Sequence, residues 1–244
     1  MGNPLSSNSL YIGLMSGTSL DGIDAVIVDF AASHFERPKL IAFHKKELPA
    51  ILRKKILSLC QPGNNEINQM VDLDIELGEL FATATLELLA ASGVDSTNII
   101  AIGSHGQTIR HHSDTTARHF SLQIGDPNTI SFRTGITTVA DFRRMDIAAS
   151  GQGAPLVPAF HHAVLASDDT NRVIVNIGGM TNITLLARDT PIIGFDTGPG
   201  NVLMDAWNQQ HHQTPWDQNG DWAAQGQVQA SLLTKWLAHP FFTQ

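Results

Sequence analysis

One pattern constrains this chain more than any other, and it occurs twice. An apolar run breaks at a short turn rich in glycine and polar residues, and a second apolar run follows at once. The first copy is Leu10-Tyr11-Ile12, then "GLMSGTSLDGID" (13–24), then Ala25-Val26-Ile27-Val28. The second is "RVIVNIGGMTNITLLA" (172–187). Short apolar runs joined by a glycine turn read as paired strands. The two copies are alike in shape rather than in sequence. Each opens a region in which strands alternate with helical spacing, which suggests an α/β protein of duplicated halves facing each other across a cleft. Two unrelated hairpins would give the same pattern, and the pattern alone does not separate these readings. The first turn is longer than an ordinary hairpin loop. It also holds two adjacent hydroxyls, Thr18 and Ser19, and two acids, Asp21 and Asp24.

The rest of the chain is consistent with that frame. Strands are expected over 10–15 and 23–30. Helical spacing appears over 51–59, then a breaker, Pro62-Gly63-Asn64, then a long helix from about Glu66 to Ser92 stopped by Gly93. Its apolar positions read as Ile67, Met70, Val71, Leu77, Leu80, Phe81, Ala84 and Leu88. A short strand, 99–102, leads into "GSHGQTIRHH". Further strands are expected at 119–124 and 136–140, a loop at 150–155 and a helix after it. The second hairpin is followed by a strand at 191–195, the turn "DTGPGN", a helix from about Val202, and a last helix near Trp222 to Ala238. The domains divide near residue 148, giving 1–148 and 149–244.

Composition excludes several classes. With 244 residues and 42% hydrophobic content the chain can bury a substantial core. A formal net charge of −8 argues against a general nucleic-acid surface. The single cysteine, Cys60, permits neither an internal disulfide framework nor a Cys-rich zinc site, which fits a reducing cytosol. There is no apolar run of membrane-spanning length and no signal-peptide pattern at the start. Gly2 followed by Ser6 matches a myristoylation pattern, a short motif set against a chain that otherwise reads as cytoplasmic.

Four segments carry candidate chemistry. In the first turn, glycines allow close backbone approach, and successive N–H groups can form an anion site. Asp21 and Asp24 offer the oxygen ligands that Mg²⁺ prefers. A solvated turn whose acids bond their own backbone would look the same. In "GSHGQTIRHH" (103–112), His105, Gln107 and Arg110 can read a polyol at a strand end. Zinc on His105, His111 and His112 is the alternative, but the spacing matches no standard zinc pattern. In "ADFRRMDIAASGQGAP" (140–155), Arg143 or Arg144 can donate a forked pair of hydrogen bonds to an anion, with a surface ion-pair cluster as the plainer reading. In "GFDTGPGN" (194–201), Asp196 falls where the strand is expected to end. It is placed to act as a general base, or else to cap the turn.

Taken in order, "GLMSGTSLDGID", "IGSHGQTIRH", "ADFRRMD", "GQGAPLVPAFH", "NIGGMTN" and "GFDTGPGNVLMDAW" resemble the anhydro-N-acetylmuramic acid kinases, from about Tyr11 to the last residue. That resemblance implies the actin-like ATPase architecture, two RNase-H-like halves around an ATP cleft. It implies opening of 1,6-anhydro-N-acetylmuramic acid, a sugar of bacterial cell-wall turnover, by water, with phosphorylation of O6 by Mg-ATP. Carried over by motif, Gly17, Thr18, Ser19, Leu20, Asp21, Gly22, Ile23 and Asp24 wrap the ATP phosphates, with Asp21 and Asp24 toward Mg²⁺. Asp196 is the base, and His105, Gln107 and Arg143 contact the sugar. A homodimer is also implied. Family members run longer, so the second half is expected to be incomplete here, with an exposed apolar face, poor ATP binding and little turnover. Another sugar kinase of the same superfamily, a non-catalytic sugar sensor and a zinc hydrolase are the competing classes.

Overall fold

The computed structural model describes residues 9–30, 38–112 and 119–243. The Gly2–Ser6 pattern lies outside them. The backbone divides into two compact units, Met1–Asn176 with Thr181–Gly198, and Ile177–Met180 with Pro199–Gln244.

In the first unit the hairpin strands are β1 (Leu10–Ser16) and β2 (Gly22–Asp29), joined through Gly17–Asp21. The ladder runs from Leu10 opposite Asp29 to Ser16 opposite Ile23. Residues 13–16 and 22–24 of the polar run are therefore strand, and the loop is of ordinary hairpin length. A strand absent from the sequence reading follows, β3 (Lys39–Glu47), antiparallel to β2. Its alternation is masked by the lysines and by exposed Leu40, Ile41 and Phe43. Helices α1 (Ala50–Leu59) and α2 (Glu66–Ser92) fall where the spacing puts them. Gly93 takes the left-handed conformation at φ +68° and donates to Leu89 O, ending α2 as expected.

Beyond α2 comes β4 (Ile99–His112), a single long strand parallel to β1. The segment "GSHGQTIRHH" was expected as a strand end, but nearly all of it is ladder. Its far portion pairs antiparallel with β5 (Phe120–Ile124). After α3 (Pro127–Thr134), capped by Asp126, β6 (Thr138–Ala140) returns to pair parallel with β4. The sheet order is β3-β2-β1-β4-β5, with β6 also on β4. Three antiparallel strands, with β4 and β6 parallel to β1 and β5 antiparallel at the edge, make a mixed sheet of the kind expected for an RNase-H-like, actin-type α/β fold.

The core lies between this sheet and α1, α2 and α3. Ile12, Ile23 and Ile27 of the hairpin pack with Ile56, Leu73, Leu77, Phe81, Leu88, Ile102 and Ile130, each at most 1% exposed. On α2 the buried stripe begins at Leu73, while Ile67 and Val71, expected inside, are exposed. Then come α4 (Phe142–Ala148), between the strand expected at 136–140 and the loop expected at 150–155, and α5 (Pro158–Leu165). A three-stranded sheet follows in the order β7 (Arg172–Ile177), β8 (Met180–Leu186), β9 (Ile193–Pro199). Only an antiparallel pair can accept the two-residue Gly178-Gly179 turn between β7 and β8. Both sheets thus begin with three strands that neighbour in chain order.

The second unit holds that glycine turn, α6 (Val202–His212) and α7 (Ala230–Leu237). The backbone N–H of Gly200 donates to Gly179 O at 2.8 Å and that of Asn201 to Gly178 O at 2.8 Å, binding the turn to the start of α6. The last helix is shorter than expected, because Ala223–Gln225 is a separate 3-10 turn and residues 226–229 are irregular. Leu203, Met204, Trp207, Trp236 and Leu237 are exposed. All four tryptophans, Trp207, Trp216, Trp222 and Trp236, lie in this unit.

Candidate functional site

The candidate site sits where β1 and β6 end beside the middle of β4, at the carboxyl edge of the parallel pairing, the edge where open α/β sheets place ligands. On the β1 side is the hairpin loop. Leu20 and Ile23 turn their side chains into the core, at 4% and 0% exposure. The Leu20 N–H is already given to Gly17 O at 3.2 Å. Leu20 holds φ +55°, a strained value for a branched side chain, and its burial pins the loop to the sheet. Thr18 and Ser19 are left exposed. Ser19 Oγ donates to Asp21 Oδ1 at 2.6 Å, and Lys45 Nζ donates to Asp21 Oδ2 at 2.5 Å. Burial pushes the Asp21 carboxyl up, but these bonds outweigh it and hold the group below its ordinary range. Lys45, on the strand the sequence reading missed, brings a cation to the loop that no motif announced. Asp24 is exposed on β2.

On the β4 side, Gly106 decides which residues face the site. It sits at φ +71°, and a Cβ there would come 2.7 Å from Ile124 O. The register with β1 slips at this point: Leu14 is opposite Ser104 and Ser16 is opposite Gln107. The extra residue inverts the side-chain alternation. Ile102 and Ser104 face the core before the bulge, and Gln107 and Ile109 face it after. Gln107, expected to contact the sugar, turns inward here. Its side chain is buried, with Oε1 accepting from Ser16 Oγ at 2.6 Å and Nε2 donating to Thr108 O at 3.1 Å. Gln107 ties the base of the hairpin to the bulge instead.

His105 is left facing outward and partly buried. Its Nδ1 lies 2.8 Å from Gly106 O, and Arg143 Nε donates to its Nε2 at 2.9 Å. A ring that accepts from a guanidinium is neutral, with the proton on Nδ1. Burial pushes the His105 pKa down and the Arg143 charge adds to this, against the Gly106 carbonyl. Both ring nitrogens are therefore engaged, which leaves the zinc reading of His105 without a free ligand atom. Among the described residues no group of three or more His, Cys, Asp or Glu side chains is placed to hold a metal ion.

Arg143 projects from α4 and also donates to Gly153 O at 2.5 Å. Gly153 N–H in turn donates to Asp146 Oδ2 at 2.7 Å. The glycine loop is thus fastened to the helix that carries the arginine. Arg144, the other arginine of the motif, pairs at the surface with Asp141. Burial lowers the Arg143 pKa, and the nearby charges of Asp196 and Asp146 oppose that. The Asp196 charge also acts on His111, against burial and Arg143. Asp196 lies within β9, not at its end as expected, and its side chain is exposed. The structure therefore joins His105 of β4 to Arg143 of α4, and the charge of Asp196 on β9 acts on Arg143 without a direct contact. Arg110 stands apart, donating to Leu59 O at 3.0 Å and to Glu66 at 2.6 Å.

Beside His105 opens a pocket of about 170 Å³ lined by Asp74, Ser104, Gln123, Pro127 and the Asp141–Arg144 pair. Asp74, Ser104 and Gln123 went unnoticed in the sequence. They come from three elements and form no local motif.

The family model for anhydro-N-acetylmuramic acid kinase matches residues 9–244. The fold and the site define an α/β chain of the actin-like sugar-kinase type. The chain belongs to the anhydro-N-acetylmuramic acid kinase family. The protein of that name from Shewanella amazonensis (strain ATCC BAA-1098 / SB2B) is 54% identical over 239 residues, 98% of this chain and 64% of that protein. The one from Shewanella sp. (strain ANA-3) is 54% identical over 238 residues, 97% and 63%. The chain thus spans about 64% of the length of the curated relatives it matches. Among solved structures, a "Reductive activator for corrinoid,iron-sulfur protein" aligns at a TM-score of 0.39 and 15% identity over 78% of this chain and 31% of that one, too slight to carry an argument.

Proposed function

We propose that the enzyme of which this chain forms part opens 1,6-anhydro-N-acetylmuramic acid and phosphorylates it with ATP. The observation that carries this reading is the family match over residues 9–244. On this reading the residues take the following roles. Asp196 takes a proton from water, and the water oxygen attacks the anomeric carbon. The bond from that carbon to O6 breaks with its electron pair on O6. O6 attacks the γ-phosphoryl group, and ADP leaves. Arg143, held by His105 and the 153 loop, orients the sugar as a fixed donor, and His105 contributes its exposed edge. Backbone N–H groups and hydroxyls of residues 17–24 take the phosphates, since phosphoryl transfer depends on positioning and charge more than on covalent help.

Mg²⁺ fits this donor set as a shared ion. Asp21 and Asp24 would each offer carboxylate oxygen, with phosphate and water completing the shell. When bound, it neutralises phosphate charge. Lys45 holds one Asp21 oxygen here, so the ion competes with an ammonium. We further propose that residues 149–244 begin a second RNase-H-like half facing the first, that the enzyme works in the cytoplasm, and that it is a homodimer.

The test is an ADP-release assay on the full-length enzyme with the anhydro sugar. Asp196→Asn should lower kcat by about 10²–10⁴, the usual worth of a positioned base, with sugar affinity nearly unchanged. A variant that keeps most of its turnover would take Asp196 out of the base role.

A further inference from the structure

The hairpin loop proposed above to take the ATP phosphates is itself acidic. Asp21 lies in it, and Asp24 follows on β2. ATP brings more negative charge, so phosphate binding here is favoured by cations from the chain as well as by Mg²⁺. Strand β3 supplies one. Lys45 stands opposite Asp24 in the ladder, and its side chain crosses Gly22 to reach the loop. A Cβ on Gly22 would lie 3.1 Å from Lys45 Cε and 2.7 Å from Lys46 O, so the bare glycine leaves that path open. Lys45 Nζ ends 2.5 Å from Asp21 Oδ2, and Ser19 Oγ donates to the other carboxylate oxygen at 2.6 Å.

An ammonium carries several N–H donors, and Asp21 is the one hydrogen-bond partner of Lys45 Nζ among the described residues. The side chain is 43% exposed, so the remaining donors reach solvent beside the loop. Lys46, the next residue, points to the other side of the strand and is committed to Glu87 of α2. An ion pair as exposed as Lys45–Asp21 adds little to stability, because water screens it and fixing two side chains costs entropy. It therefore gives way readily to a stronger anion. Phosphate oxygens are such an anion, and a metal ion that takes the Asp21 oxygen would free the ammonium at the same moment. We infer that Lys45 is a phosphate-binding residue of the nucleotide site, exchanging Asp21 for a phosphate oxygen of ADP or ATP. The inference rests on the function proposed above. The plainer role, in which Lys45 only screens Asp21 from the phosphates, has a different signature in a double-mutant cycle.

The test is calorimetric binding of ADP to the full-length enzyme in EDTA, where no metal ion bridges the loop and the phosphates. Wild type, Lys45→Met, Asp21→Asn and the double variant form the cycle. Lys45→Met should weaken ADP binding about ten- to a hundredfold, the scale of one hydrogen bond between charged groups, and by a similar factor in the Asp21→Asn background. A loss that disappears once Asp21 is replaced would reduce Lys45 to a screen and overturn the inference. So would an affinity unchanged by Lys45→Met, or the absence of ADP binding by the wild type in EDTA. Affinity for the anhydro sugar should stay the same, and a matching loss there would make the effect structural and overturn the inference as well. Lys45→Gln replaces the methionine variant if circular dichroism shows that one to misfold. A wild type that releases no ADP from ATP and the anhydro sugar in Mg²⁺ would overturn the proposed function itself, a result distinct from any of these.

Discussion

His105 shows how much one side chain can depend on its neighbours. Its Nε2 can accept from Arg143 only while the ring is neutral. Burial, helped by the arginine, favours that form and sets the folded-state pKa below the ordinary 6.5. His111 is displaced the same way, mainly by burial. A histidine with a depressed folded pKa contributes stability that is complete above its unfolded value and is lost as pH falls through that value toward the depressed one. Stability to urea should therefore decline as the pH is lowered below about 6.5. The carboxylates held low, Asp21 among them, act only in a more acid range around 3.8 and below. Asp74, raised by burial, has the opposite sign and is common to both proteins compared. His105→Gln, which offers Arg143 an acceptor that does not titrate, should flatten the slope between pH 7 and 5, leaving the part due to His111. An unchanged slope would mean that His105 does not titrate on folding.

Among the elements, β4 carries most of the site, and its bulge is the detail on which the site turns. Gly106 meets two conditions at once, a left-handed backbone and a carbonyl too near for a Cβ. Gly106→Ala should cost about 1–3 kcal/mol from the backbone conformation alone, and more if Ile124 cannot shift. A urea midpoint within error of the wild type would show that the bulge is not needed. The same element shows what the sequence could and could not disclose. The hairpin, α1, α2 with its Gly93 stop, β5, and the β7–β8 turn follow from apolar spacing and glycine punctuation, which are local signals. The sequence "GSHGQTIRHH" has no apolar alternation because a bulge shifts its parity midway and polar side chains are buried by pairing with β1 and β5. Gln107 was therefore read as facing the site, although it faces inward. Strand β3 escaped notice for a related reason: its apolar residues are exposed and its lysines serve neighbours, Lys45 bonding Asp21 and Lys46 bonding Glu87. Asp196, His105 and Arg143 were legible as chemistry, since each sits in a motif. The pocket formed by Asp74, Ser104 and Gln123 was not, because no short window of sequence contains it.

At the scale of the molecule, the aromatic residues are divided between the units. The first unit holds Tyr11, the chain's single tyrosine, and no tryptophan, while the second holds all four tryptophans. Trp207, Trp216 and Trp236 are at least half exposed. Emission excited at the indole band is therefore a report on residues 199–244, however large the first unit is. It should be red-shifted and readily quenched by acrylamide before any denaturant is added. Far-UV dichroism is weighted instead toward α2 and the six-stranded sheet. Followed side by side in urea, the two signals should give midpoints that do not coincide, the indole signal moving first. Coincident curves would mean that the units unfold together. An indole-based thermal-shift screen on this chain would then rank ligands by what they do to its smaller unit, and a sugar seated against His105 could bind tightly and leave that trace unmoved.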